Sequence, residues 1–142
     1  MTYDFKLVCE LPAPPKAVYD AWLDSAAHSA MTGGKAEIAK RVGGPYTAWD
    51  GYISGKTLKL APGERIVQSW RTSQFAAADP DSTISVELAP TKAGTRLTLL
   101  HKGVPDGQTN YEKSGWRDFY FVPMQAYFER EKQKATSAKK GA

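Results

Sequence analysis

His28, His101, Cys9 and Gln68 are the side chains of this 142-residue chain whose chemistry first asks for an explanation. Acid–base work would need one of the two histidines, or a carboxylate, held in a hollow. His28 falls on a short helix and is expected on its exposed side. His101 shares a strand face with Leu97 and Leu99, so it points toward the interior near the mouth of any hollow. There it would meet a polar group of a ligand or simply cap the end of the sheet. Cys9 alternates with Leu7 and Leu11 and reads as a buried structural thiol rather than a nucleophile. A single cysteine forbids an internal disulfide, and no CxxC or His/Cys cluster suggests zinc. A Ser/His/Asp order, an HExxH motif and a phosphate-cradling glycine loop are also missing. No catalytic residue, metal or cofactor is assigned.

These residues are positioned by a plain order of elements. Phe5 to Leu11 alternates as a half-buried strand, and Pro12-Ala13-Pro14-Pro15 then opens a helix running to Leu23. A second short helix covers Ser25 to Met31 and stops at Gly33-Gly34. Strands are expected over Ala36 to Arg41, Pro45 to Trp49, Tyr52 to Leu60, Arg65 to Thr72, Thr83 to Ala89 and Thr95 to Lys102. Turn chemistry separates them: Asp50-Gly51, Pro62-Gly63, Asp79-Pro80-Asp81 and Ala93-Gly94. Thr109 and Glu112 fit a capping box for a long helix through Trp116, Phe119, Tyr120, Phe121, Met124, Tyr127 and Phe128 to about Gln133. Its rings span roughly 200°, twice an ordinary apolar stripe, and Pro123 inside it predicts a bend.

The expected fold is therefore α+β. It has a curved antiparallel sheet of about seven strands, two short helices after the first strand, and a long C-terminal helix across the concave face. One helix closes such a hollow only in part, which leaves a cavity. Strand parity and helix phase select its lining: Tyr46, Ala48, Gln68, Trp70, Val86, Leu97, Leu99 and His101 facing Trp116, Tyr120, Pro123, Met124 and Tyr127. Phe75 opens a loop over residues 74–82 that is placed as a lid. A buried amide without partners costs roughly 1–3 kcal/mol, so Gln68 must meet a water, a neighbour such as His101, or a ligand atom. Gln68 and His101 are the expected orienters of a mostly apolar guest.

Composition narrows the class further. With 42% hydrophobic residues the chain is neither disordered nor fibrous, and no apolar run approaches a membrane span. The start lacks the order of a signal peptide, so a cytoplasmic protein is expected. The net charge of +4 comes mostly from residues 129–142, where five basic side chains face two acidic ones. The body is nearly neutral, which disfavours nucleic acid as a partner. A single domain over 1–134 with a flexible basic tail over 135–142 is expected, as a monomer or homodimer.

Several blocks carry a family resemblance: Met31-Thr32-Gly33-Gly34, Gly43-Gly44-Pro45-Tyr46 and Trp49-Asp50-Gly51-Tyr52-Ile53-Ser54-Gly55 in the first half. Leu60-Ala61-Pro62, Ile66-Val67-Gln68-Ser69-Trp70-Arg71 and Gly115-Trp116 before Tyr120 continue it. Together, over about residues 5–128, they resemble the C-terminal domain of the activator of Hsp90 ATPase family. That family belongs to the START and Bet v 1-like (SRPBCC) superfamily with the helix-grip fold. The resemblance implies a cavity for a hydrophobic small molecule. In the eukaryotic co-chaperone a separate N-terminal domain drives Hsp90 stimulation, whereas here the chain begins with the grip domain's first strand, as stand-alone bacterial members do. The expectation is a binding module or carrier for a hydrophobic or aromatic small molecule. The alternatives are an Hsp90-associated protein, whose partner would be an Hsp90 homologue, or a cyclase- or aromatase-like enzyme using the same cavity.

Overall fold

Alternation decides the architecture. In Arg65–Thr72 the even positions Ile66, Gln68, Trp70 and Thr72 are buried, and in Thr95–Pro105 the odd positions Thr95, Leu97, Leu99 and His101 are buried. Each strand thus has one face that must be covered. The computed structural model describes residues 2–106 and 111–141. Its strands are β1 (Thr2–Leu11), β2 (Glu37–Ile38), β3 (Pro45–Ala48), β4 (Ile53–Ala61), β5 (Arg65–Thr72), β6 (Ser82–Pro90) and β7 (Thr95–Pro105). They form one antiparallel sheet in the order β1-β7-β6-β5-β4-β3-β2. The meander is closed at one side by the first strand. The helices α1 (Pro15–Leu23) and α2 (Ser25–Thr32) bridge β1 to β2, and α3 (Val122–Gly141) ends the chain.

Register aligns the inward residues in rows. Phe5, His101, Ile84, Gln68 and Thr57 form one row across five strands; Leu7, Leu99, Val86 and Ile66 form the next. Against these rows lie Val18, Trp22 and Leu23 of α1, Met31 of α2 and Met124 and Phe128 of α3, all buried. The helix-grip fold of the Bet v 1-like class is present as expected.

Three local expectations change. The strand expected over residues 36–41 is only Glu37–Ile38, because the chain then folds on itself: Arg41 N–H donates to the Ala39 carbonyl and Gly44 N–H to that of Arg41. The terminal helix does not begin as an α-helix. Tyr111–Gly115 and Arg117–Phe121 are π-helical, with Val122 N–H reaching back to the Arg117 carbonyl, and α3 starts only at Val122. Pro123 therefore sits in the first turn of α3 rather than bending its middle. In a continuous α-helix its ring would press on the Phe119 carbonyl, and the wider π turn before it relieves that crowding. α3 then runs past Gln133 to Gly141. Of the expected capping box, Thr109 lies outside the described residues, as does the side chain of Glu112. The broad girdle of rings is also not wholly buried: Phe119 is 56% exposed. Among the described residues no helix is long and apolar enough to cross a membrane, and no group of side chains is arranged to hold a metal ion.

Candidate functional site

The polar side chains of the core are engaged with one another. Gln68 Oε1 accepts from Trp22 Nε1–H at 3.1 Å, and its Nε2 donates to Thr57 Oγ1 at 3.2 Å. Its partners are α1 and β4 rather than His101 or a guest. His28 is a correction: it is 2% exposed, not on the outer side of its helix. Its Nδ1 lies 2.8 Å from the Trp22 carbonyl and its Nε2 lies 3.0 Å from Tyr120 Oη. A carbonyl only accepts, so Nδ1 carries the proton and Nε2 accepts from the tyrosine. His101 takes the opposite tautomer. Trp116 Nε1–H donates to its Nδ1 at 3.1 Å, so Nε2–H points to Ser82 Oγ at 2.9 Å, and that hydroxyl donates to the Trp70 carbonyl. Burial pushes both imidazoles below their ordinary range, His101 to about 3. His101 is sealed in the core and both nitrogens are taken, so it neither reaches a guest nor serves one as an acid.

Two pockets of similar volume are present among the described residues, one between the start of α1 and Tyr127, Phe128, Glu131 and Lys132 of α3, and an aromatic one where the π-helical segment stands over the β3–β4 turn. The aromatic pocket, half-open and about 360 Å³, is lined by Trp49, Tyr52, Ile53, Trp70, Gln74, Tyr111, Gly115, Trp116, Phe119 and Tyr120. Of the residues chosen from the sequence, Trp70, Trp116 and Tyr120 line it. Tyr46, Gln68, Leu97, Leu99, His101 and Met124 do not, because the helices pack directly on them and leave them almost wholly buried. Tyr46 instead donates its hydroxyl to the Ser69 carbonyl at 2.7 Å. Phe75 is no lid residue: its ring lies against Trp70 under the Arg71 guanidinium. Arg71 fastens the loop over residues 74–82 through the Ala76 and Asp79 carbonyls and the Asp81 carboxylate.

The residues that parity missed sit where parity does not apply. Trp49 and Asp50 form the β3–β4 turn at φ 52° and 59°, a left-handed backbone that is unusual for a bulky residue. Asp50 holds the turn by accepting from Lys35 N–H and donating its own N–H to the Lys35 carbonyl. Trp49 can then lie flat on Gly34: a Cβ there would stand 2.5 Å from Trp49 Cε3. The other face of the turn meets the helix, with Phe119 edge-on to Trp49 at 5.4 Å. Trp49 Nε1 is shut off from solvent and has no hydrogen-bond partner. Within the same lining, Tyr52 Oη donates to Gln74 Oε1 at 2.8 Å and Tyr111 Oη pairs with Thr72 Oγ1 at 3.0 Å. The blocks around Gly33-Gly34 and Trp49 to Tyr52 were the available signal for this wall. The π-helical turn that brings Gly115 and Phe119 to it has no sequence pattern of its own.

Comparison with known proteins fixes the family. The model for "Activator of Hsp90 ATPase homolog 1-like protein" matches residues 12–129. The chain belongs to this family. An uncharacterised protein of Schizosaccharomyces pombe is 28% identical over 116 residues, covering 82% of this chain and 34% of that protein. The human activator of 90 kDa heat shock protein ATPase homolog 1 is 25% identical over 114 residues, covering 80% and 33%. The chain thus spans about a third of the length of the curated relatives it matches. Among solved structures, an HSP90 activator from Plasmodium falciparum superposes with a TM-score of 0.75 at 26% identity, covering 84% of this chain and 91% of that one. The family match includes the Trp49 turn and the π-helical segment, so the pocket belongs to the region this Hsp90 ATPase activator-like domain shares with its relatives.

Proposed function

We propose that this protein binds an apolar, aromatic small molecule between the Trp49 turn and the π-helical segment, as a carrier or sensor without chemistry of its own. One observation carries this: an aromatic-walled pocket of about 360 Å³ stands partly open at the surface, within the size range of small-molecule sites. Three indoles and Phe119 offer the large apolar surface that stacks on rings. The test is thermal unfolding against a panel of aromatic compounds. A ligand specific for the folded state raises Tm with the logarithm of its excess, and Trp49→Ala should abolish the shift. A panel that produces no shift at saturating concentrations would remove the proposal.

A second reading, association with an Hsp90 homologue, is favoured by the match to relatives named as Hsp90 activators, and it is compatible with an occupied pocket. Co-purification with the Hsp90 of the same host and a change in its ATP turnover would support it. Absence of both would exclude it. Either role is read as cytoplasmic.

A further inference from the structure

We infer that the pocket selects an electrically neutral, flat aromatic guest bearing a hydroxyl on one edge, and rejects aromatic acids and aromatic ammonium ions. The inference rests on the pocket being a binding site and adds what it selects.

The lining holds two kinds of group. Trp49, Trp70, Trp116 and Phe119 supply ring surface. Tyr52, Tyr111 and Gln74 add hydroxyl and amide groups to the same lining. Among the described residues, none of those lining the pocket carries a formal charge. Among the described side chains, the ions adjoining the lining in sequence have other partners: Asp50 the Lys35 backbone, Arg71 the loop carbonyls and Asp81, and Arg117 and Asp118 each other. A charged guest would lose hydration without a counter-ion to replace it, and burying an unpaired charge is the costliest form of desolvation.

The surrounding groups report the same environment in both directions. Burial holds the hydroxyls of Tyr111 and Tyr120 well above the usual phenol range, opposing negative charge. Burial also holds His28 and His101, which touch Tyr120 and Trp116, below the usual imidazole range, opposing positive charge. Cation–π attraction from the indoles supplies no counter-ion for the hydration an ion loses. Tyr52 Oη donates to Gln74 Oε1 and is also hydrogen-bonded with Tyr111, and a hydroxyl oxygen with two lone pairs can accept one bond more. A guest hydroxyl therefore has a place to donate at the Tyr52–Gln74 pair, whereas bare hydrocarbon leaves that pair to water.

The experiment uses four probes of one shape with the intact protein at pH 7, read by calorimetry: 2-naphthol, naphthalene, 2-naphthoate and 2-naphthyltrimethylammonium. The neutral naphthol should bind at least roughly tenfold tighter than either ion, and several-fold tighter than naphthalene. Tyr52→Phe should erase the advantage of naphthol over naphthalene. Gln74→Lys, a substitution at an exposed residue of the lining, should raise naphthoate affinity by about tenfold. Near-UV circular dichroism would confirm that both variants keep the fold. Equal or tighter binding of either ion to the wild-type protein overturns the selectivity while leaving the pocket standing. Naphthol no tighter than naphthalene overturns the role of the Tyr52–Gln74 pair. If none of the four probes binds, the binding-site proposal falls and this inference falls with it.

Discussion

His28 and Tyr120, 92 residues apart in sequence, share a 3.0 Å hydrogen bond that ties α2 to the π-helical turn beneath the pocket. Tyr120 gives its ring to the pocket wall and its hydroxyl to the core. The bond continues through His28 Nδ1–H to the Trp22 carbonyl, and Trp22 Nε1–H continues it to Gln68 and Thr57. Five polar residues on five elements are thereby linked in one hydrogen-bonded chain.

Cutting this chain should be costly. Tyr120→Phe leaves the His28 nitrogen without its donor and should lower unfolding free energy by about 1–2 kcal/mol. His28→Leu strands both the tyrosine hydroxyl and the Trp22 carbonyl and should cost more, about 2–4 kcal/mol. Urea unfolding of both single variants and the double variant measures the coupling. It should fall between about 0.5 and 3 kcal/mol, and strict additivity would show that the bond is absent in solution.

Protonation should unmake the core from the same points. An ordinary imidazole titrates near 6.5, whereas folded His101 waits until about 3 and His28 is shifted in the same direction. Below pH 6.5 the unfolded chain takes up protons that the folded chain refuses, so stability falls as pH falls. His101 contributes a slope of about 1.4 kcal/mol per pH unit down to about pH 3, and His28 adds to it in the same direction. Above pH 6.5 neither contributes any slope. A His101 imidazole resonance that stays fixed between pH 7 and 5 in the folded protein would confirm the assignment, and a normal titration near 6.5 would refute it.

The sheet, the faces of its strands and the two short helices were legible because alternation and turn residues are local signals, and Ile66, Gln68 and Trp70 fell on the buried face as alternation required. The site was legible only in part. Parity correctly turned Leu97, Leu99 and His101 inward, but an inward side chain lines a void only where nothing packs on it. That depends on how α1, α2 and the terminal helix settle. His28 went the wrong way because an eight-residue helix with little amphipathic contrast gives no reliable phase. Trp49 and Phe119 were hidden by backbone features, a left-handed turn and a π-helical turn, that composition does not announce.

Two tryptophans with opposite hydrogen-bond status give a matched comparison. Trp22→Phe removes the donor to a buried Gln68 and leaves a gap in the core, so it should cost about 2–4 kcal/mol. Trp49→Phe removes an N–H that already lacks a partner, and the recovered desolvation should offset much of the lost packing. A net change within about 1 kcal/mol is expected for Trp49→Phe by urea unfolding. Equal costs for the two variants would mean that the Trp49 N–H finds a partner in solution.

Gly34→Ala tests the seat of Trp49. The new methyl would stand 2.5 Å from Cε3 and 2.8 Å from Cδ2 of the indole, and 3.0 Å from the Trp49 Cα, so a ring flip alone cannot clear it. The turn must lift, and lifting it separates Trp49 from Phe119 at the pocket mouth. We expect a loss of about 1–3 kcal/mol in stability together with a red shift of tryptophan emission and weaker binding of any pocket ligand. In a Trp49→Ala background most of the clash is gone, so the same Gly34→Ala change should cost markedly less. If its cost is unchanged there, the glycine serves the backbone after α2 rather than the indole, and the pocket wall is held by the Asp50 contacts with Lys35 alone.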